Sequence, residues 1–238
     1  MHLFFDWTYV ILVLPAILLA MWASANVNST FRRYSTQYSR RGITGAQAAR
    51  RVLDANGLQQ VRIERVSGHL TDHYDPRDNV IRLSDNVFGN TSTAAIGVAC
   101  HEAGHAVQHA VKYVPIQIRS AIIPITNIGS RLSMPLILVG LLFSMYSPQM
   151  YYLVYAGIAC FGLAAIFQLV TLPTEFNASR RALAAIESGH LLYDEEIQGA
   201  RKTLRAAALT YVAALAVSLT QLLRLLLLFG GNGRRRND

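Results

Sequence analysis

Ala94-Ala95-Ile96-Gly97-Val98-Ala99-Cys100-His101-Glu102-Ala103-Gly104-His105-Ala106-Val107-Gln108-His109-Ala110-Val111 is a small, apolar stretch carrying an H-E-x-x-H pattern at 101–105. Its composition predicts a buried helix over 93–112, with Ser84, Thr91 and Ser92 as candidate caps in the segment leading into it. On a helix, positions i and i+4 share a face, so the imidazoles of His101 and His105 can reach one ion. Glu102 sits beside that face, placed to take a proton from a water molecule and pass it on. Borderline-soft Zn²⁺ suits imidazole and carboxylate ligands, and a catalytic zinc keeps one position open. By composition the pattern arises by chance in fewer than roughly one chain of this length in a hundred. The alternative is a helix whose histidines only pack, but buried imidazoles need polar partners. Gly104 costs up to about 1 kcal/mol against Ala inside a helix. Close approach of a strand, or of substrate, would explain it.

Such a site needs a third protein ligand. Glu175, in Thr174-Glu175-Phe176-Asn177-Ala178-Ser179, is the candidate, and the segment reads as the start of a helix. A carboxylate there serves equally as a helix N-terminal charge favoured by the macrodipole, so ligand and cap remain two readings. His109 is one more i+4 step along, but three successive imidazoles drift around a helix and do not easily chelate one tetrahedral ion. Cys100 and Cys160 lack metal-pair spacing and read as reduced thiols.

Outward from this stretch the chain is unusually apolar. Of its 238 residues 52% are hydrophobic and 15% charged, against roughly 25% charged in an ordinary soluble domain. Residues 7–23 carry no charge, and Asp6 stands where a signal peptide would have Lys or Arg, so the run reads as a retained anchor. Further apolar runs lie at 120–146, 150–170 and 206–229. Pro124 and Pro135 should kink or break the first of these, leaving 132–147 as its cleanest span. Arg224 interrupts the last and is expected to snorkel. The expected organisation is a transmembrane anchor at 7–27, a soluble domain at 28–119 and a transmembrane pair at 120–171. A helical segment carrying Glu175 at 172–205, a transmembrane helix at 206–229 and a basic tail at 230–238 complete it. Within 28–119, residues 44–56 predict a helix opened by Thr44 and closed by Gly57. Val61–Val66 and Asn79–Leu83 read as short strands, and 68–77 as a loop. His69, His73 and Asp75 in that loop are either a second polar or metal cluster or a set of loop-holding contacts.

The formal net charge of +8 raises a nucleic-acid or anionic-lipid reading for 31–51, but topology accounts for those arginines. Residues 31–120 hold twelve Lys or Arg and 171–205 five more. Four spans with the N-terminus outside place both stretches in the cytoplasm. Arg234-Arg235-Arg236 then falls outside, against the rule. No nucleic-acid partner is expected.

Beyond the motif, Leu70–Arg77, Arg82-Leu83-Ser84, Val98–Gln108 and Leu172–Leu183, together with the four apolar runs, make nearly the whole chain resemble the YugP-like membrane-bound neutral zinc metallopeptidases of bacteria. More loosely it is similar to HtpX-type and CAAX-prenyl proteases. The resemblance implies a mostly α membrane protein in which an α+β zincin-like (gluzincin-type) domain joins about four transmembrane helices. It implies an integral metalloendopeptidase of the bacterial cytoplasmic membrane, its site on the cytoplasmic side, acting on a peptide or protein that includes membrane proteins among the options. One Zn²⁺ per chain would be held by His101, His105 and Glu175, with Glu102 as base. In the wider group an aspartate four residues after the glutamate orients a ligand histidine. Here that position is Ser179, which brings no negative charge, and Asn177 is placed to share the task. A zinc-binding scaffold with weak or no turnover is therefore the alternative. The resemblance also implies a substrate-binding edge strand, expected at Val80, Ile81, Arg82 and Leu83, and an oxyanion stabiliser among Arg180, Arg181, His109 and Tyr113.

Overall fold

The computed structural model describes residues 6–230 and is mostly helical. A π-helical turn, Tyr9–Val13, leads into α1 (Leu14–Tyr34). Then follow α2 (Gly45–Ala55), β1 (Arg62–Val66), β2 (His73–Asp75), β3 (Val80–Ser84), α3 (Asp85–Phe88) and α4 (Thr93–Ala110). Three long helices complete the chain: α5 (Val114–Phe143), α6 (Tyr152–Ser188) and α7 (Asp194–Phe229). Four helical stretches are long and apolar enough to cross a membrane: Tyr9–Tyr34, Val114–Phe143, Pro148–Ser188 and Asp194–Phe229. The basic tail, with Arg234, Arg235 and Arg236, lies outside the described residues.

The chain forms two compact units. The first comprises the described residues up to Trp22, Ile118–Leu172 and those from Tyr211. Its core gathers Ile137, Val154, Ile158, Leu225 and Phe229. Within the α5–α6 hairpin Ser133 Oγ donates to the Gly157 carbonyl at 2.9 Å. A Cβ on Gly157 would come within 2.7 Å of the Ser133 carbonyl oxygen, so the backbones meet closely, as small residues allow between apolar helices. The prolines do not break α5, which runs unbroken through Pro124 and Pro135. In an apolar setting, keeping the remaining helical hydrogen bonds outweighs the local cost of a proline. Arg224 does not snorkel. Its side chain is buried, with Nε 3.4 Å from Asp6 Oδ1 and the guanidinium 5.4 Å from the centre of the Tyr9 ring. A charge among apolar helices is costly unless paired, and Asp6 supplies the pair.

The second unit, Ala23–Gln117 with Pro173–Thr210, holds the chemistry-bearing residues. Thr44 opens α2 through a capping box: its Oγ1 accepts from the Gln47 N–H and Gln47 Oε1 accepts from the Thr44 N–H. Gly57, at φ +72°, takes the left-handed conformation just beyond the helix. The buried faces of α2 and β3 supply Leu53, Ile81 and Leu83 to a core shared with Ile96 of α4 and Ile186 of α6. Ser92 caps α4, its Oγ accepting from the Ala95 N–H.

The sheet has the order β1-β3-β2, with β3 parallel to β1 and antiparallel to β2. Val80, Ile81, Arg82 and Leu83 therefore do not form an edge strand: β3 is central and hydrogen-bonded on both sides. Four of its five residues are buried, on both faces, as a central strand requires. The edge beside α4 belongs to β2, in the segment expected as loop. Three residues are too few for alternation to show.

Candidate metal centre

His101 and His105 lie one turn apart on α4, and Glu175 of α6 comes to meet them. His101 Nε2 and His105 Nε2 are 3.2 Å apart. Glu175 Oε2 stands 3.2 Å from the first and 3.4 Å from the second. Among the described residues this is the one group of His, Cys, Asp or Glu side chains assembled as a metal could require.

Glu175 does not begin a helix. α6 continues from its apolar half straight through Pro173 to Ser188, so Glu175 sits in mid-helix and is 3% exposed. A carboxylate there has no free helix N-terminus to serve, which removes the capping reading and leaves the contact with the two histidines. The close approach at Gly104 is made by α6, neither a strand nor a substrate: a Cβ there would lie 2.8 Å from the carbonyl oxygen of Ala178. Glycine thus lets the helix bearing Glu175 come near enough to reach both imidazoles.

The outer nitrogens of the two rings are engaged. Gln108, fully buried, donates from Nε2 to the Thr174 carbonyl at 2.8 Å and to Asn177 Oδ1 at 3.0 Å. Its Oε1 must then be the acceptor facing His105 Nδ1 at 3.0 Å, so Nδ1 carries the proton and Nε2 offers its lone pair inward. Ser179 Oγ lies 3.1 Å from His101 Nδ1 and is placed to do the same for that ring. Asn177 Oδ1 also accepts from Arg181 Nε at 2.8 Å. Sequence alone does not single out Gln108. Its signal is a polar side chain three residues after His105, on the same helix face, within an otherwise apolar run.

The remaining candidates are not among the three grouped ligands. Arg180 is exposed, and His109 packs its ring against Tyr74 of β2 at 5.5 Å. Tyr113 follows the end of α4, its N–H donating to the Gln108 carbonyl. Cys100 points into the core, where burial pushes its thiol up to about 12. His69, His73 and Asp75 do not converge. His69 packs edge-on against Phe31, His73 Nδ1 meets the Thr71 carbonyl, and Asp75 binds Arg82. These contacts tie the segment to α1 and to β3.

Glu102 is 8% exposed. Burial pushes its carboxyl up to about 7, with His101 opposing and the negative charges of Glu175 and Asp72 adding to the rise. Asp72 accepts from the N–H and the hydroxyl of Ser84 at 2.7 and 3.0 Å, which ties the chain entering β2 to the end of β3. Burial raises its carboxyl as well.

The donor set fits zinc. With metal–ligand bonds of about 2.0–2.2 Å, tetrahedral ligand atoms stand roughly 3.3–3.6 Å apart, close to the spacings found here. Three acceptor atoms at such separations would otherwise face each other unfavourably in a nearly dry site.

Comparisons with known proteins point the same way. Residues 9–230 match the family described as "Putative neutral zinc metallopeptidase". The chain is 45% identical over 229 residues to "Putative membrane protease YugP" of Bacillus subtilis (strain 168), spanning 96% of this chain and 99% of that relative. No solved structure matches. With two histidines and a glutamate converging at zinc-ligand spacing and a family match over nearly its whole length, the chain belongs to this family of neutral zinc metallopeptidases.

Proposed function

We propose that the chain is an integral membrane metalloendopeptidase in which His101, His105 and Glu175 hold one Zn²⁺ and Glu102 is the catalytic base. The observation that carries this reading is the triangle of ligand atoms at 3.2, 3.2 and 3.4 Å. Zn²⁺ held there supplies the Lewis acidity that makes water nucleophilic near neutral pH. Glu102, adjacent to His101 in the chain and shielded from solvent, accepts the proton of the attacking water and returns it to the leaving amine. Gln108 and Ser179 keep both imidazoles turned inward. Among the described residues β2 pairs with β3 alone, and its other edge is open to an extended peptide by strand addition. The role expected of Val80–Leu83 thus passes to His73–Asp75.

The twelve basic residues in 31–120 and five in 171–205 support a cytoplasmic location for the site. The scaffold alternative draws on Ser179, which lacks an aspartate's charge.

The test is cleavage of an unfolded protein such as reduced casein by full-length, zinc-loaded enzyme in detergent, beside zinc-loaded Glu102→Gln. Cleavage by the wild type, reduced at least a hundredfold in the variant while zinc is retained, supports the peptidase. Zinc retention with equal, background cleavage in both, on soluble and membrane-derived substrates alike, supports the scaffold instead.

A further inference from the structure

A cavity of about 220 Å³, lined mostly by polar side chains, opens in the unit that carries the metal centre, at the polar end of α1. Arg32, Ser35, His69, Asn86 and Asn90 line it over the buried ring of Phe31, and no carboxylate is among its lining residues. Arg32 makes no ion pair among the described residues, although Asp and Glu elsewhere in this unit take up several of its other arginines. Asn90 spends its Oδ1 on the Ser92 N–H, which leaves its amide NH₂ free to donate. Ser35 Oγ is buried without a partner. The Arg32 guanidinium, the amides of Asn86 and Asn90 and the His69 imidazole thus bring donors to one space, while Asn28, which also lines it, spends an amide N–H on the Ser24 carbonyl.

That chemistry suits a multi-oxygen anion. A guanidinium fork offers two parallel hydrogen bonds to a phosphate, and neutral donors satisfy the remaining oxygens. The position on α1 suggests where such a group comes from. A span of about 20 residues that begins at Trp7 ends near Asn26. Six further residues at 1.5 Å each put the Arg32 Cα about 9 Å beyond the hydrocarbon. Helical side chains lean towards the N-terminus, so the Arg32 stem reaches back to the depth of lipid phosphates.

We propose that this cavity binds the phosphate of an anionic phospholipid headgroup. Lipid and free phosphate share that chemistry, so the experiment offers both. Full-length protein in neutral detergent is titrated with short-chain phosphatidylglycerol, phosphatidylcholine and inorganic phosphate, with binding read by native mass spectrometry. Phosphatidylglycerol should bind most tightly. Its affinity should fall about tenfold or more in Arg32→Gln and in Asn86→Leu, which removes a donor at constant charge, and stay unchanged in Arg33→Gln on the same helix. Inorganic phosphate binding as tightly as the lipid, with the same dependence on Arg32 and Asn86, would assign the site to a soluble phosphate and overturn the lipid source. Equal weakening by Arg32→Gln and Arg33→Gln would reveal general surface attraction and overturn the site, as would no binding of either probe.

Discussion

Gln108 Oε1 faces His105 Nδ1 at 3.0 Å, and the same side chain binds the backbone of α6 next to Glu175. One buried amide therefore sets the tautomer of one ligand and the position of the helix that carries another. Replacing Gln108 by Ala should weaken zinc binding by about 10–100-fold, as losses of ligand-orienting partners do. Gln108→Glu, which keeps an acceptor for Nδ1, should recover part of that loss. Competition titration against a chromogenic chelator measures both, with circular dichroism to verify the fold.

Ser179 offers a second handle, because its Oγ is 3.1 Å from His101 Nδ1. Ser179→Ala should lower zinc affinity by about tenfold, and Ser179→Asp should raise it by placing a charge behind the imidazole. Affinities in the order Asp, Ser, Ala are expected. A Ser179→Ala protein with wild-type affinity would show that the hydroxyl does not support His101.

Gly104→Ala places a methyl 2.8 Å from the Ala178 carbonyl oxygen. Neither backbone can yield without moving α6, so overpacking of about 1–3 kcal/mol is expected. Glu175 would be drawn away with its helix. Thermal unfolding and zinc content should therefore fall together, whereas Ala substitution of Gly162, which has open space around its Cβ position, should change neither.

The pair Asp6–Arg224 ties the start of the first apolar helix to the last one. Asp6→Asn leaves a buried guanidinium without its counter-charge and should lower the thermal midpoint in detergent. The double variant Asp6→Asn/Arg224→Leu should recover stability relative to the single variant, because it removes the orphaned charge. A double variant no more stable than Asp6→Asn would show that the pair is not coupled.

The parts legible in the sequence are those fixed by local periodicity. His101 and His105 meet because a helix repeats every 3.6 residues, and Thr44 with Gln47 announces α2 through side chains three residues apart. Glu175 was identifiable as a candidate, but its setting was not. Pro173 reads as a helix boundary in water, yet α6 runs through it. The central place of β3 depends on strands arriving on either side: β1 is legible in the sequence, but the three residues of β2 and the order β1-β3-β2 are not. Gly104 showed that something comes close, while the identity of the neighbour, the α6 backbone at Ala178, is tertiary information. Gln108 is in the same position: its role exists only because Thr174 and Asn177 lie across from it.

The most direct test of the account is zinc content by elemental analysis of purified full-length protein, wild type beside His105→Ala and Glu175→Ala. About one zinc per chain in the wild type, lost from both variants while they remain folded, is the expected result. Full retention of zinc in Glu175→Ala, or none in the wild type after reconstitution, would contradict it.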